Sequence, residues 1–308
     1  MDYRDHKPDH KPDLNARVFL SLATGMGLRQ TGRNVGLSLR CTEMKFRKIG
    51  RHLRRLNLNL RGPLSNDASF QLDELETFEG CRGTRPLSLP MLIEEVSRLI
   101  VWGESASIRP SGGMSKARRR AIREDEMKHG KRRHCSHVAT ARTLRRGAAI
   151  AVEMERVLLL TDEKSSYPKL AREAFGEERL VHERTNSKLA RGSWNPLFPI
   201  NHTDAMARDH IARLRRQSWL ASKKRRYLDL GVQIWMAYRN YMRRRFNYDD
   251  ESPAQILGFV DRRMSAGELL SWRQDWRQES IHPLSRSCET VESWMRRHSK
   301  TSKISSAA

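Results

Sequence analysis

Val157-Leu158-Leu159-Leu160-Thr161-Asp162-Glu163-Lys164-Ser165-Ser166-Tyr167-Pro168 is the stretch on which the fold turns. Residues 156–161 form a compact apolar run of strand length, and Asp162 ends it. Pro168, with its fixed φ, suits a first helical turn and starts a helix through Phe175. Working outward, Arg179-Leu180-Val181-His182 predicts a last short strand, and 139–154 favours a helix. Upstream, Gln71-Leu72-Asp73-Glu74-Leu75-Glu76-Thr77-Phe78 alternates polar with apolar, as a half-buried strand should. Residues 87–101 hold two apolar clusters, expected to be the next strands. Strands and helices in this alternation predict a mixed α/β sheet over residues 70–246.

Ahead of the sheet the pattern is helical. Residues 1–14 repeat His6-Lys7-Pro8-Asp9 as His10-Lys11-Pro12-Asp13 and read as a disordered lead-in. Val18, Phe19, Leu22 and Ala23 recur at helical spacing before Gly25 and Gly27 break the chain. A short helix over 28–35 ends at Gly36, and Ser38 caps a longer basic helix over 38–56. Helix, tight Gly turn and second helix make the helix-turn-helix layout, assigned to 15–62. Ten Lys and Arg but a single acid, Glu43, lie between Arg29 and Arg61. A DNA-contacting set follows: Arg29, Arg33, Arg40, Lys45, Arg47, Lys48 and Arg51, with Glu43 also within reach of base edges. The basic run 116–133 is a further candidate for holding a DNA backbone, against the simpler reading of a disordered positive loop.

Composition points the same way. The 308 residues carry 59 Lys and Arg against 36 Asp and Glu, a net charge of +23, so a polyanion is the expected partner and duplex DNA the first choice. No run approaches the roughly 18–20 apolar residues of a membrane span, and residues 1–6 lack a secretory apolar region. Four scattered cysteines (Cys41, Cys81, Cys135 and Cys288) form no C-x-x-C pair, so reduced thiols in the cytoplasm, near the nucleoid, are expected.

The C-terminal region, 247–308, is read as a helical extension with a frayed tail after Cys288. Before it, Leu228, Val232, Trp235, Tyr238, Met242 and Phe246 fall at steps of three and four, predicting one helical stripe. Ser252-Pro253-Ala254-Gln255 is a capping box, which makes Asp249, Asp250 and Glu251 an acidic lead-in to a helix.

Two carboxylates stand out by position: Asp73 inside the first strand and Asp162 at the end of an apolar one. A carboxylate there is costly to bury unless paired or bound to a cation. On neighbouring strands the two would make a hard-oxygen site for Mg²⁺ or Mn²⁺. The matching task in a basic protein is phosphoryl transfer on nucleic acid, one metal activating a water or 3′-hydroxyl and a second stabilising the leaving oxygen. Strand-end acids also serve as caps and ion-pair partners, and the residues alone leave both readings open. His134-Cys135-Ser136-His137 offers metal-ligand types but no second pair, and reads as a solvated basic segment. Gly25-Met26-Gly27 lacks the preceding strand of a dinucleotide loop. Trp194 lies on a loop and reads first as a packed loop aromatic, with stacking on an unpaired base as the other reading.

The strand at 71–78 resembles the first-carboxylate strand of insertion-sequence DDE transposases, and 157–168 resembles the strand carrying their second. Ile200-Asn201-His202, with Arg208, then 211–218 and Ser222-Lys223-Lys224, is similar to the helix carrying their third residue. The likeness is nearest the insertion-sequence-one-like branch and covers roughly residues 15–250. It implies an RNase-H-like catalytic domain, metal-dependent cleavage and strand transfer at transposon ends, and a homo-oligomer on DNA. The site it implies is Asp73, Asp162 and Asn201, with Mg²⁺ or Mn²⁺. Two departures stand beside it. Asn201 occupies a position where most such enzymes carry Glu, with Asp204 three residues on as a substitute donor. The zinc ribbon that many relatives place first is missing, which predicts a late start. The alternative function is a decayed or truncated transposase that only binds DNA.

Overall fold

A computed structural model describes residues 9–186, 188–190, 192–215 and 219–271. The tail after Cys288 and the first copy of the lead-in repeat, up to Pro8, lie outside the described residues. Three helices come first: α1 (Asn15–Ala23), α2 (Leu28–Val35) and α3 (Leu39–Asn59). The turn between α2 and α3 is built as the residues require. Gly36 adopts the left-handed conformation (φ 70°) that a side chain resists, and the Ser38 hydroxyl accepts the Cys41 amide proton at 3.2 Å.

The lead-in is not wholly loose. Pro12–Leu14 forms a single 3₁₀ turn, and the Asp9 carboxylate bonds both Asn15 and the Lys45 ammonium. The buried Lys45 ammonium gathers Asp9, the Lys11 carbonyl and Asn15 around it, which polarity alone does not foretell.

A mixed six-stranded sheet follows: β1 (Ser69–Phe78), β2 (Pro86–Glu94), β3 (Ile100–Gly103), β4 (Ala106–Ser107), β5 (Val157–Asp162) and β6 (Leu180–Thr185). The order is β3-β2-β1-β5-β6, with β4 added on β2. β1, β2 and β3 form an antiparallel meander, whereas β1, β5 and β6 run parallel. Parallel neighbours need crossovers. Between β1 and β5 the chain also makes α4 (Lys116–His129) and α5 (Ser136–Ala148), and α6 (Tyr167–Phe175) joins β5 to β6. Then come α7 (Phe198–His210), α8 (Arg225–Ala237), α9 (Pro253–Ile256) and α10 (Ala266–Ser271).

The period-two alternation of β1 and β5 sorts residues between two apolar cores. Phe70, Leu72, Val157 and Leu159 join Ala141 and Leu144 of α5 and Leu170 and Phe175 of α6. Leu75 and Leu160 face the other way, with Ile200 and Ala207 of α7 and Val232 and Trp235 of α8. The first core runs on without a break into Phe19, Phe46, Ile49, Leu53 and Leu56 of the N-terminal helices. Asn57 ties α3 to α8 through the Gln233 carbonyl at 3.0 Å.

Some expected elements differ. The basic run 116–133 is largely a helix, capped by Ser115 and burying no residue, rather than a loop. The expected stripe from Leu228 to Phe246 is one α-helix only to Ala237; Tyr238–Met242 continues as a π-helical turn and Arg243 is extended. The buried Asn240, which donates to the Ile100 carbonyl and accepts the Ile100 amide, holds this turn to the edge of the sheet. The extension past residue 247 is helical only at α9 and α10 among the described residues.

Candidate active site

Adjacent parallel strands bring the two expected carboxylates together. Leu72 pairs with Thr161 in the β1–β5 ladder, and the next residue on each strand is Asp73 and Asp162. Both follow the alternation onto the α7 side of the sheet, the side of Leu75 and Leu160. Neither is fully buried, so ligands have access to them. Asp73 accepts the Glu74 amide proton at 2.7 Å, and Asp162 accepts that of Lys164 at 3.1 Å.

Gln71 fixes the third residue's helix. This fully buried amide, two residues before Asp73, donates to the Pro196 carbonyl at 2.8 Å and accepts the Ile200 amide proton at 3.1 Å. The first turn of α7 is thereby clamped to β1, and Asn201 is the next residue along. Ile200, Thr203 and Ala207 form the buried stripe of α7, and Asn201 sits half-exposed beside it.

The opposite face holds a carboxylate that the sequence reading did not single out. Glu74 Oε1 accepts from Lys164 Nζ at 2.6 Å and from Thr140 Oγ1 at 2.9 Å, and Oε2 accepts from Ser88 Oγ at 2.5 Å. Tyr167 also donates to Glu74, and its hydroxyl is held protonated. Burial raises its pKa most, with Glu74, Asp73 and Asp162 adding to the rise. Lys164 thus joins both faces, with its backbone amide on Asp162 and its ammonium on Glu74. The strand period carried the signal, since consecutive strand residues face opposite sides.

The donor chemistry of Asp73, Asp162 and Asn201 is two carboxylates and one amide oxygen, which fits a hard cation such as Mg²⁺ or Mn²⁺. Among the described residues no three His, Cys, Asp or Glu side chains gather as a metal site. Asp204 therefore does not complete a three-carboxylate set, and His134, Cys135 and His137 do not form one either. Cys135 is buried at the start of α5, and His134 is hydrogen-bonded to Ser136 at 3.2 Å.

The expected DNA-contacting residues part into two groups. Arg29, Arg33 and Arg40 are exposed on α2 and the start of α3. Lys45 points inward, 3% exposed, and its ammonium is bonded to Asp9, Asn15 and the Lys11 carbonyl. It is a structural cation, because the apolar helix face on which it falls is covered by the lead-in. Arg47 is half-buried, paired with Glu43 at 2.5 Å and placed over the Tyr227 ring. Lys48 lies 4.0 Å from Asp9, and Arg51 is half-buried. Trp194 is 65% exposed, so it is not a packed loop residue. No helix among the described residues is long and apolar enough to cross a membrane. Compared with protein-family models and with curated proteins, the chain gives no match to either.

Proposed function

We propose that the chain is a DDE-type DNA transposase, with Asp73, Asp162 and Asn201 as its active site and Mg²⁺ or Mn²⁺ as its cofactor. The observation that carries this reading is the side-by-side placement of Asp73 and Asp162 on adjacent parallel strands, under the helix that bears Asn201. The sheet order, an antiparallel meander continued by parallel strands, is compatible with an RNase-H-like catalytic domain.

Bound divalent cations would supply Lewis-acid stabilisation of the phosphoryl oxygens and a nucleophile at neutral pH. The chain's own residues do the positioning. Asp73, Asp162 and Asn201 would hold the cations, and Gln71 keeps the Asn201 helix in register with β1. In cleavage, water attacks phosphorus and the P–O3′ bond breaks, leaving a 3′-hydroxyl that takes the proton. In strand transfer that hydroxyl attacks a target phosphorus, the target's own P–O3′ bond breaks, and the released 3′-oxygen takes the proton. Arg29, Arg33 and Arg40, with the exposed basic face of α4, would engage the DNA backbone.

The test is strand nicking in Mg²⁺ or Mn²⁺ on duplex DNA carrying the repeats that flank the gene. Metal-dependent cuts at the repeat ends, lost in Asp73→Ala and Asp162→Ala, are expected. Asn201 favours a second reading, since an amide leaves the site one negative charge short of a three-carboxylate set. Repeat binding without cuts in either metal would establish that reading, a protein that occupies terminal repeats without processing them.

A further inference from the structure

Four aromatic rings lead from α7 to the surface in three consecutive steps. Phe198 stacks on His202, one turn along, with centroids 5.8 Å apart and planes 28° apart. His202 meets Phe246 at 6.3 Å, and Phe246 stacks on Tyr248 at 5.5 Å and 22°. The first two rungs lie on α7, the helix that carries Asn201. Its last rung, Tyr248, is 83% exposed. A ring placed for packing alone buries both faces, whereas this one covers Phe246 and offers its other face to solvent.

Cations flank the ladder. Arg98 and Arg245 hold their guanidinium groups 5.7 and 5.2 Å from the Phe246 centroid. Arg245 is spoken for, bonded to Asp249 at 2.6 Å and to the Val96 carbonyl at 3.1 Å, and Arg244 pairs with Asp250 at 3.3 Å. Arg98 differs. Its backbone is held at φ 64°, a conformation that costs a non-glycine residue, and among the described residues its buried Nε and Nη1 have no hydrogen-bond partner. The acids nearest it are engaged: Glu94 accepts from the Val96 and Ser97 amides, and Glu95 from Ser69 Oγ.

We propose that this ladder seats an unpaired DNA nucleotide at the surface reached from α7, its base stacked on the open face of Tyr248 and its phosphate in the positive field of the Arg98 guanidinium. Stacking of a base on an aromatic ring together with a nearby arginine is the combination that retains single strands whatever their sequence. The seat rests on the reading of the chain as a protein that processes DNA ends, and it gives the strand opened there a place to go.

The test uses the full chain and one duplex in two forms, blunt or with a short unpaired tail carrying 2-aminopurine. The wild type is expected to bind the tailed form more tightly and to change the probe's fluorescence. Tyr248→Ala should weaken tailed binding by about 10- to 100-fold while leaving blunt binding alone, and Tyr248→Phe should restore it. Arg98→Ala should lower the salt slope of tailed binding by about 0.7. Equal affinities of wild type and Tyr248→Ala for the tailed form would overturn the seat, even where duplex nicking stands. A Tyr248-dependent preference for unpaired RNA over unpaired DNA would overturn the assigned ligand. Failure to bind either duplex would remove the seat together with the function on which it rests.

Discussion

Asp73 and Glu74 are neighbours in sequence and opposites in the fold. Asp73 faces α7 beside Asp162, in a partly open setting, whereas Glu74 faces α5 and α6 and is bonded by Lys164, Thr140, Ser88 and Tyr167. One side of the sheet has its carboxylate saturated by the chain itself. The other brings two carboxylates together, an arrangement that repels itself unless a cation or proton intervenes. A carboxylate inside a strand is thus no marker of function until its face is known. A saturated acid belongs to the architecture, and two carboxylates side by side keep part of their charge available to a partner outside the sheet only if the chain does not compensate it.

The contrast can be broken by substitution. Asp73→Ala and Asp162→Ala should each cut metal-dependent nicking by about 10³-fold or more, since each would remove a cation ligand, and should leave the unfolding midpoint within a few degrees. Glu74→Gln should do the reverse. Its main effect is a loss of about 1–3 kcal/mol in urea unfolding, because Lys164, itself about a third exposed, loses its charge partner. A large loss of stability in Asp73→Ala, with none in Glu74→Gln, would invert the assignment of the two faces.

A fourth acid sharpens the point. Asp229 on α8 accepts both the amide and the hydroxyl of Ser105, at 2.8 and 2.6 Å, and burial raises its pKa from 3.8 to about 6. Its folded-state pKa lies above the unfolded one, so the native state binds more protons between about pH 4 and 6. Its contribution to stability therefore falls as pH rises through that window. Asp229→Asn keeps an acceptor for Ser105 and should stabilise the protein by about 1–2 kcal/mol at pH 7. The gain should vanish below about pH 4, as thermal melts across the range would reveal.

The smallest effect concerns the basic helices. Arg40→Ala should reduce the salt dependence of duplex binding by roughly 0.9 in log–log slope, the share of one phosphate contact. Lys45→Met should leave that slope unchanged, because its ammonium is turned into the protein. Titrations of fluorescent duplex at several salt concentrations would separate the two.

Much of this was legible beforehand. The Gly36 turn and Ser38 cap, the apolar run ending in Asp162 and the alternation around Asp73 place α2, α3, β5 and β1 within a few residues. These are local signals, in which period and cap chemistry leave few options. What was illegible depends on distant partners. Lys45 reads as a surface base until Asp9 is seen to cover it, and α4 reads as a loop because it has no apolar stripe to announce it. The Glu74 cluster needs Ser88, Thr140 and Lys164 from three separate segments, and the aromatic ladder needs α7 to meet the chain after α8. The helical stripe was misread past Ala237 because Tyr238 and Met242 continue the spacing after the hydrogen-bond pattern has changed.

The unbroken core under α3 also limits how the molecule can be taken apart. That helix, 21 residues and about 31 Å long, carries exposed Arg40 near its start and is buried at Leu53 and Leu56 near its end. A fragment ending at residue 62 would strip Ile49, Leu53 and Leu56 of their cover and would aggregate or remain molten. The basic helices cannot be exchanged like a cartridge, since any graft in their place has to bring the α8 surface with it. Evolution faces the same constraint as the engineer: the basic helices and the sheet must drift together.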